Sequence, residues 1–175
     1  MLNGPIPPHV DPRKLADRGA TLEGVLPIAS LPRLAEQLVD DVGEVRAKLL
    51  FERDERRAAV IHGEFDVEVK MVCQRCLGVA RLPIHGEYSY VVVKEGADEQ
   101  SVPKGYDALE VGEEPLDLLT LVEDELLLAL PIVPVHDSEI CQQPAGLEEP
   151  EPSEDEVQRS NPFSVLAQLK RDPNV

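Results

Sequence analysis

The stretch "AAVIHGEFDVEVKMVCQRCLGVARLPIHGEYSYVVVKE", residues 58–95, decides the fold. In its first half Phe65, Val67, Val69, Met71 and Cys73 alternate with Glu64, Asp66, Glu68 and Lys70. A period of two with one apolar and one charged face predicts a strand of an antiparallel sheet, one side buried and the other wet. The second half repeats the pattern through Leu82, Ile84, Tyr88, Tyr90 and Val92. The two strands are therefore expected to form a hairpin, with "QRCLGV" (74–79) as its turn. His62 and His85 fall on these strands and read as sheet residues.

The flanks extend this sheet. "EVRAKLLFERDE" (44–55) alternates Val45, Ala47, Leu49 and Phe51 and predicts a further strand, with "ERR" (55–57) as the turn after it. "TLEGVLPIA" (21–29) reads as a short strand and "LEV" (109–111) as a short edge strand. "SLPRLAEQLVD" (30–40) carries a helix signature, with Ser30 as cap and Leu31, Leu34, Ala35 and Leu38 on one face. "EEPLDLLTLVEDELLLALP" (113–131) predicts a long helix over about 115–130, with Pro115 in its first turn and Pro131 past its end. Leu118, Leu119, Val122, Leu126, Ala129 and Leu130 make one apolar arc, and Leu121, Leu127 and Leu128 lie outside it. The consecutive Glu123, Asp124 and Glu125 point in different directions around a helix and read as a solvated stretch, not a metal site.

The fold class that follows is α+β. An antiparallel sheet carries a CxxC hairpin turn, with one N-terminal helix, one long helix and a short C-terminal helix. Residues 1–14 are Pro-rich and predict an extended segment, and 15–141 predict a single domain. Residues 142–160 have the acidic, Pro-rich composition of a linker. "NPFSVLAQLKRD" (161–172) predicts an amphipathic helix whose Phe163, Leu166 and Leu169 are candidates for docking a partner.

Composition narrows function. The chain has 175 residues, with Lys+Arg 17 and Asp+Glu 34, a net charge of −17. Phosphate backbones repel such a body at long range, and basic proteins are attracted to it. Aromatics are 3% with no Trp, so stacking platforms for single-stranded nucleic acid are scarce. No apolar run reaches the ~18 residues of a membrane span. The amino terminus lacks the apolar core of a secretory signal. The expectation is a soluble cytoplasmic protein without DNA or membrane partners. Gly-rich phosphate loops, Gly-x-Ser-x-Gly and HExxH are missing, and no enzyme is expected.

The three cysteines leave alternatives open. Cys73 and Cys76 at a strand turn have the form of a zinc knuckle, and His136 with Cys141 supplies the two further ligands a closed zinc site needs. The same thiols also suit a buried inert pair or a redox dithiol, although no helix follows the CxxC to activate it. Lys70, Arg75 and Arg81 form the one compact basic cluster near an ordered turn and are candidates for contact with RNA phosphate.

"CQRCL", "DLLTLVEDELLLALPIVPVHDSEIC" and "NPFSVLAQLKR", in this order and at these separations, closely resemble the YceD family of large ribosomal RNA subunit accumulation proteins. The resemblance runs from "DPRKLADRGATLEGVLPI" (11–28) to the C-terminal segment. It implies a bacterial or organellar protein needed for synthesis, processing or stability of large-subunit ribosomal RNA, with no established catalytic activity. Its expected partners are an rRNA precursor or an immature large subunit, reached directly or through a protein. A pure protein adaptor, binding a ribonuclease or a basic ribosomal protein without touching RNA, is the alternative. Some relatives carry further CxxC-like pairs after the long helix, and this chain keeps only His136 and Cys141 there.

Overall fold

A computed structural model describes residues 2–3, 6–97, 102–136 and 141. Among the described residues eight strands and three α-helices follow one another. They are β1 (Leu2–Asn3), β2 (His9–Val10), α1 (Pro12–Asp17), β3 (Thr21–Pro27), α2 (Pro32–Ala35), β4 (Glu44–Arg53), β5 (Ala59–Val72), β6 (Val79–Val93), β7 (Asp107–Glu110), β8 (Leu116–Asp117) and α3 (Leu118–Ala129). The fold is α+β.

Six strands form one sheet in the order β1-β3-β4-β5-β6-β7, and β2 pairs with β8 in a separate two-stranded ribbon. The centre of the large sheet is antiparallel, as the alternation predicts. Its two edges are not: β1 runs parallel to β3, and β7 parallel to β6. The long hairpin pairs Val60 with Val91 at one end and Val72 with Val79 at the other, leaving residues 73–78 as the turn. At the β4–β5 turn the Asp54 carboxylate accepts the Ala58 N–H at 2.7 Å, and Arg57 takes a left-handed φ of 64°.

Val45, Leu49 and Phe51 of β4 and Ile61, Phe65 and Val69 of β5 are buried on one face of the sheet. Each such side chain taken from water contributes about 1.5–3 kcal/mol. Glu64, Asp66 and Glu68 stay exposed on the other face. Two glycines make room for aromatics on the facing strand. Gly63 lies opposite Tyr88 and Gly86 opposite Phe65. A Cβ on Gly63 would sit 1.9 Å from the Tyr88 ring, and one on Gly86 2.3 Å from the Phe65 ring.

The helices differ from expectation in instructive ways. The extended segment expected over 1–14 ends early, because Pro12 occupies the first position of α1 and Asp11 caps it, accepting from Arg13 N at 3.1 Å and Lys14 N at 3.2 Å. Proline read as a loop signal is here a helix start. Arg13 donates to the carbonyls of Val93 (3.1 Å) and Val111 (2.9 Å), tying α1 to the parallel edge.

The helix expected over 30–40 contracts to four residues, Pro32–Ala35. Ser30 does not cap it; its hydroxyl donates to the Pro27 carbonyl at 2.6 Å. The cap comes from α3. Glu123 Oε1 accepts the N–H groups of Arg33 (2.8 Å) and Leu34 (3.1 Å), while Oε2 accepts Arg33 Nε at 2.8 Å. Glu123 is thus buried, against the expectation of a solvated acidic stretch.

The long helix starts later than expected, at Leu118. Pro115 precedes it, and Asp117 is the cap, accepting Leu119 N at 2.9 Å and Thr120 N at 3.1 Å. The β2–β8 ribbon takes up the residues just before it. Leu118, Val122 and Leu126 face the core as expected, and Leu121 joins them although the helical arc excluded it. The Tyr90 hydroxyl donates to Glu125 and fastens α3 over β6. Leu128 is exposed.

Candidate metal centre

Cys73 follows the last residue of β5, and local hydrogen bonds shape the turn after it. Cys73 N donates to Gly78 O at 2.8 Å and Leu77 N to Cys73 O at 2.9 Å. Leu77 adopts a left-handed φ of 62°. This tight reversal holds Cys73 and Cys76 as a knuckle.

The opposing loop begins where α3 stops. Leu130 leaves the helix with ψ 138°, and Pro131 cannot continue it. The loop then runs alongside the knuckle: Gln74 N donates to Pro134 O at 2.9 Å, and Pro134 is buried. That contact carries His136 to the turn.

The four predicted ligands converge. Cys73, Cys76, His136 and Cys141 each offer one donor atom, and these atoms all lie within 4.8 Å of one another. Cys73 Sγ is 3.8 Å from Cys141 Sγ, and Cys76 Sγ is 3.3 Å from His136 Nε2. Cys73 is buried and the other three are half-buried. Three sulfurs and an imidazole at these separations form a possible metal site.

The thiols are tuned unequally. Cys73 is brought down to about 6, first by the backbone N–H of Cys76, against burial and with help from the N–H groups of Arg75 and His136. At Cys76 the N–H of Gly78 pulls down, but burial and the neighbouring Cys141 and Cys73 sulfurs outweigh it and raise the thiol.

The three basic candidates are all engaged. Arg75 Nε donates to Cys141 Sγ at 3.0 Å, and its second nitrogen donates to His136 O at 3.3 Å. The Cys141 sulfur holds the guanidinium above its usual range. Arg75 therefore grips both loop ligands. Lys70 pairs with Asp40 at 2.7 Å and Arg81 with Glu68 at 3.4 Å. Lys70 and Arg81 are cross-strand partners and share a groove on the charged face of the sheet with Arg46 and His85. His85 itself pairs with Asp66 at 3.0 Å. Phe163, Leu166 and Leu169 lie outside the described residues, as does the linker 142–160.

Sequence reasoning missed two long-range contacts, one at the site and one that caps α2. Arg75 was legible only as a cation, since nothing local says that its target is Cys141, 66 positions away. Glu123 left a faint signal. It stands four residues after Leu119 and three before Leu126, on the helix's apolar side.

Among the described residues no helix is long and apolar enough to cross a membrane. No solved structure matches the chain. A family model described as large ribosomal RNA subunit accumulation protein YceD matches residues 61–170. The large ribosomal RNA subunit accumulation protein YceD of Haemophilus influenzae is 34% identical over 168 residues, covering 95% of this chain and 97% of its own length. The knuckle, the leucine-rich helix and the His136–Cys141 loop all fall inside these matches, and the chain belongs to the YceD family, named for the accumulation of large-subunit ribosomal RNA.

Proposed function

We propose that this protein is a noncatalytic factor in large-subunit rRNA accumulation, acting by binding, with zinc closing the clasp between the knuckle and the loop after α3. The observation that carries the reading is the donor set. Two sulfurs ~2.3 Å from a tetrahedral zinc stand about 3.8 Å apart, and a sulfur and an imidazole nitrogen about 3.5 Å apart. The 3.8 Å Cys73–Cys141 and 3.3 Å Cys76–His136 separations fit two edges of that figure. All four positions are protein ligands, as in closed structural zinc sites; catalytic sites leave one position to water or substrate. Bound there, zinc supplies a cross-link and no chemistry. Cys73 and Cys76 hold it from the hairpin, and His136 and Cys141 hold it from the loop.

The partner reading favoured is a protein of the assembling large subunit. Net charge −17 repels RNA, and Arg75, Lys70 and Arg81 already have partners within the chain. Direct rRNA contact is the second reading, supported by the groove of about 820 Å³ that collects Lys70, Arg81, Arg46 and His85 on one face, interleaved with Glu44, Asp66 and Glu68. Elemental analysis of protein purified without chelator tests the clasp: about one zinc per chain is expected, lost in Cys73→Ser. A metal-free protein overturns it. In-cell crosslinking separates the partner readings. Crosslinks on large-subunit rRNA that weaken in a Lys70→Glu/Arg81→Glu variant select direct contact, and protein crosslinks alone select the adaptor.

A further inference from the structure

We infer that the knuckle end of the molecule is a docking surface for a basic protein segment that carries apolar side chains; the inference rests on the reading of the chain as a binding factor. Ten large hydrophobic side chains are exposed among the described residues, and eight of them belong to this end. They fall in 72–79, in 128–135 and at Val39; the exceptions are Val25 and Val42. Ile132 is 98% exposed and Leu77 70%. Scattered apolar residues are ordinary on a protein surface, but concentration at one end marks an interaction site.

Between these segments runs a groove of about 610 Å³, lined by Val39, Met71, Val72, Leu127 and Ile132 among others. Among the described residues its one charged lining residue is Glu36. The groove on the sheet's charged face differs, since that one is lined by Lys70, Arg46 and Arg81 together with Glu44, Asp66 and Glu68. Among the described lining residues no cation meets an incoming phosphate, and the nearby Arg75 guanidinium is turned onto Cys141 and His136. A cleft that mixes apolar side chains with Gln37, Gln74 and the acidic Glu36, on a body of net charge −17, complements a cationic segment that presents leucine-like anchors.

The surface is also tied to the clasp. Gln74 and Pro134 line the groove and bond to each other at 2.9 Å, and each neighbours a clasp element. Closing the clasp therefore sets the spacing of two groove-lining segments.

The test uses the full-length, reduced, zinc-loaded protein on a sensor surface. The probe is the RNA-free protein fraction of purified large ribosomal subunits, with retained proteins identified by mass spectrometry. One or a few basic proteins are expected to be retained. Binding is expected to fall at least tenfold in Ile132→Asp and in Leu77→Asp, and to hold in the control Val25→Asp. The two test side chains are so exposed that folding is not at stake, and unchanged circular dichroism verifies it. Retention of nothing, or equal retention by all variants, overturns the proposal. So does retention of purified 23S-type rRNA in place of protein. Self-association seen in sedimentation and abolished by Ile132→Asp assigns the face to a second copy and also overturns it. Large-subunit rRNA levels in cells carrying Ile132→Asp separate the two ideas. Normal rRNA with this variant but depleted rRNA without the protein sinks the surface and leaves the function standing. Normal rRNA without the protein sinks the function itself.

Discussion

Replacing Glu123 is expected to be the most costly single carboxylate change in the described body. Its side chain is 6% exposed and holds three donors, two of which are backbone N–H groups at the start of α2. Pro32 leads that helix and Leu31 offers no side-chain cap, so those N–H groups have no local acceptor. In Glu123→Gln one neutral oxygen replaces a carboxylate for both. A bond to a charged acceptor exceeds a neutral one by about 1 kcal/mol, so about 2 kcal/mol is expected to go. Glu123→Ala leaves both N–H groups without an acceptor and a void behind them. About 3–5 kcal/mol is expected, or roughly 6–20 °C in Tm at about 2–4 °C per kcal/mol. The Arg33 side chain is half exposed and keeps Asp124 at 2.6 Å, so it is left out of the sum. The assay is urea unfolding of the full chain, reduced and with metal present, reading the midpoint at constant slope. Asp124→Asn is the control: its pair is open to solvent and is expected to cost less than about 1 kcal/mol. If Glu123→Gln lies within about 0.5 kcal/mol of the parent, or matches Asp124→Asn, the remote-cap argument is wrong.

Three further outcomes are expected. Gly86→Ala drives a methyl into the Phe65 ring, 2.3 Å away, and is expected to cost about 1–3 kcal/mol in urea unfolding; a neutral result contradicts the ring-over-glycine packing. Asp117 is held below the usual carboxylate range, first by the Thr120 backbone N–H. Its stabilisation is complete above the unfolded value of about 3.9 and is lost as pH falls through the lower folded value. Asp117→Ala is therefore expected to lose about 1 kcal/mol at pH 7 and progressively less below about pH 4, read from paired unfolding curves. Arg75→Gln removes the hydrogen bond onto the Cys141 sulfur and is expected to weaken metal affinity about tenfold in chelator competition. The ligand-field spectrum of the cobalt-substituted protein stays unchanged, because the ligands are the same; equal affinity argues against the role.

The strands and the ligand types were legible because their signals are local. An alternation of two residues places Phe65, Val67 and Val69 on one face wherever the strand ends up, and Cys73 and Cys76 are neighbours in any fold with that turn. What lay beyond local reading depends on partners far along the chain. Glu123 caps a helix 90 positions earlier, so α2 could not be sized from Ser30 or from its own apolar spacing. The parallel edges, β1 beside β3 and β7 beside β6, depend on how the chain returns to the sheet, and no periodicity encodes a direction. The span from Cys76 to His136 is closed by Gln74 meeting Pro134 and by Arg75 reaching Cys141. Sequence by itself determined the hairpin and the CxxC turn, and offered Cys73, Cys76, His136 and Cys141 as candidate ligands beside other readings of the thiols. Only tertiary packing decided that the four meet, because α3 has to lie on the sheet before the loop leaving it can run beside the knuckle.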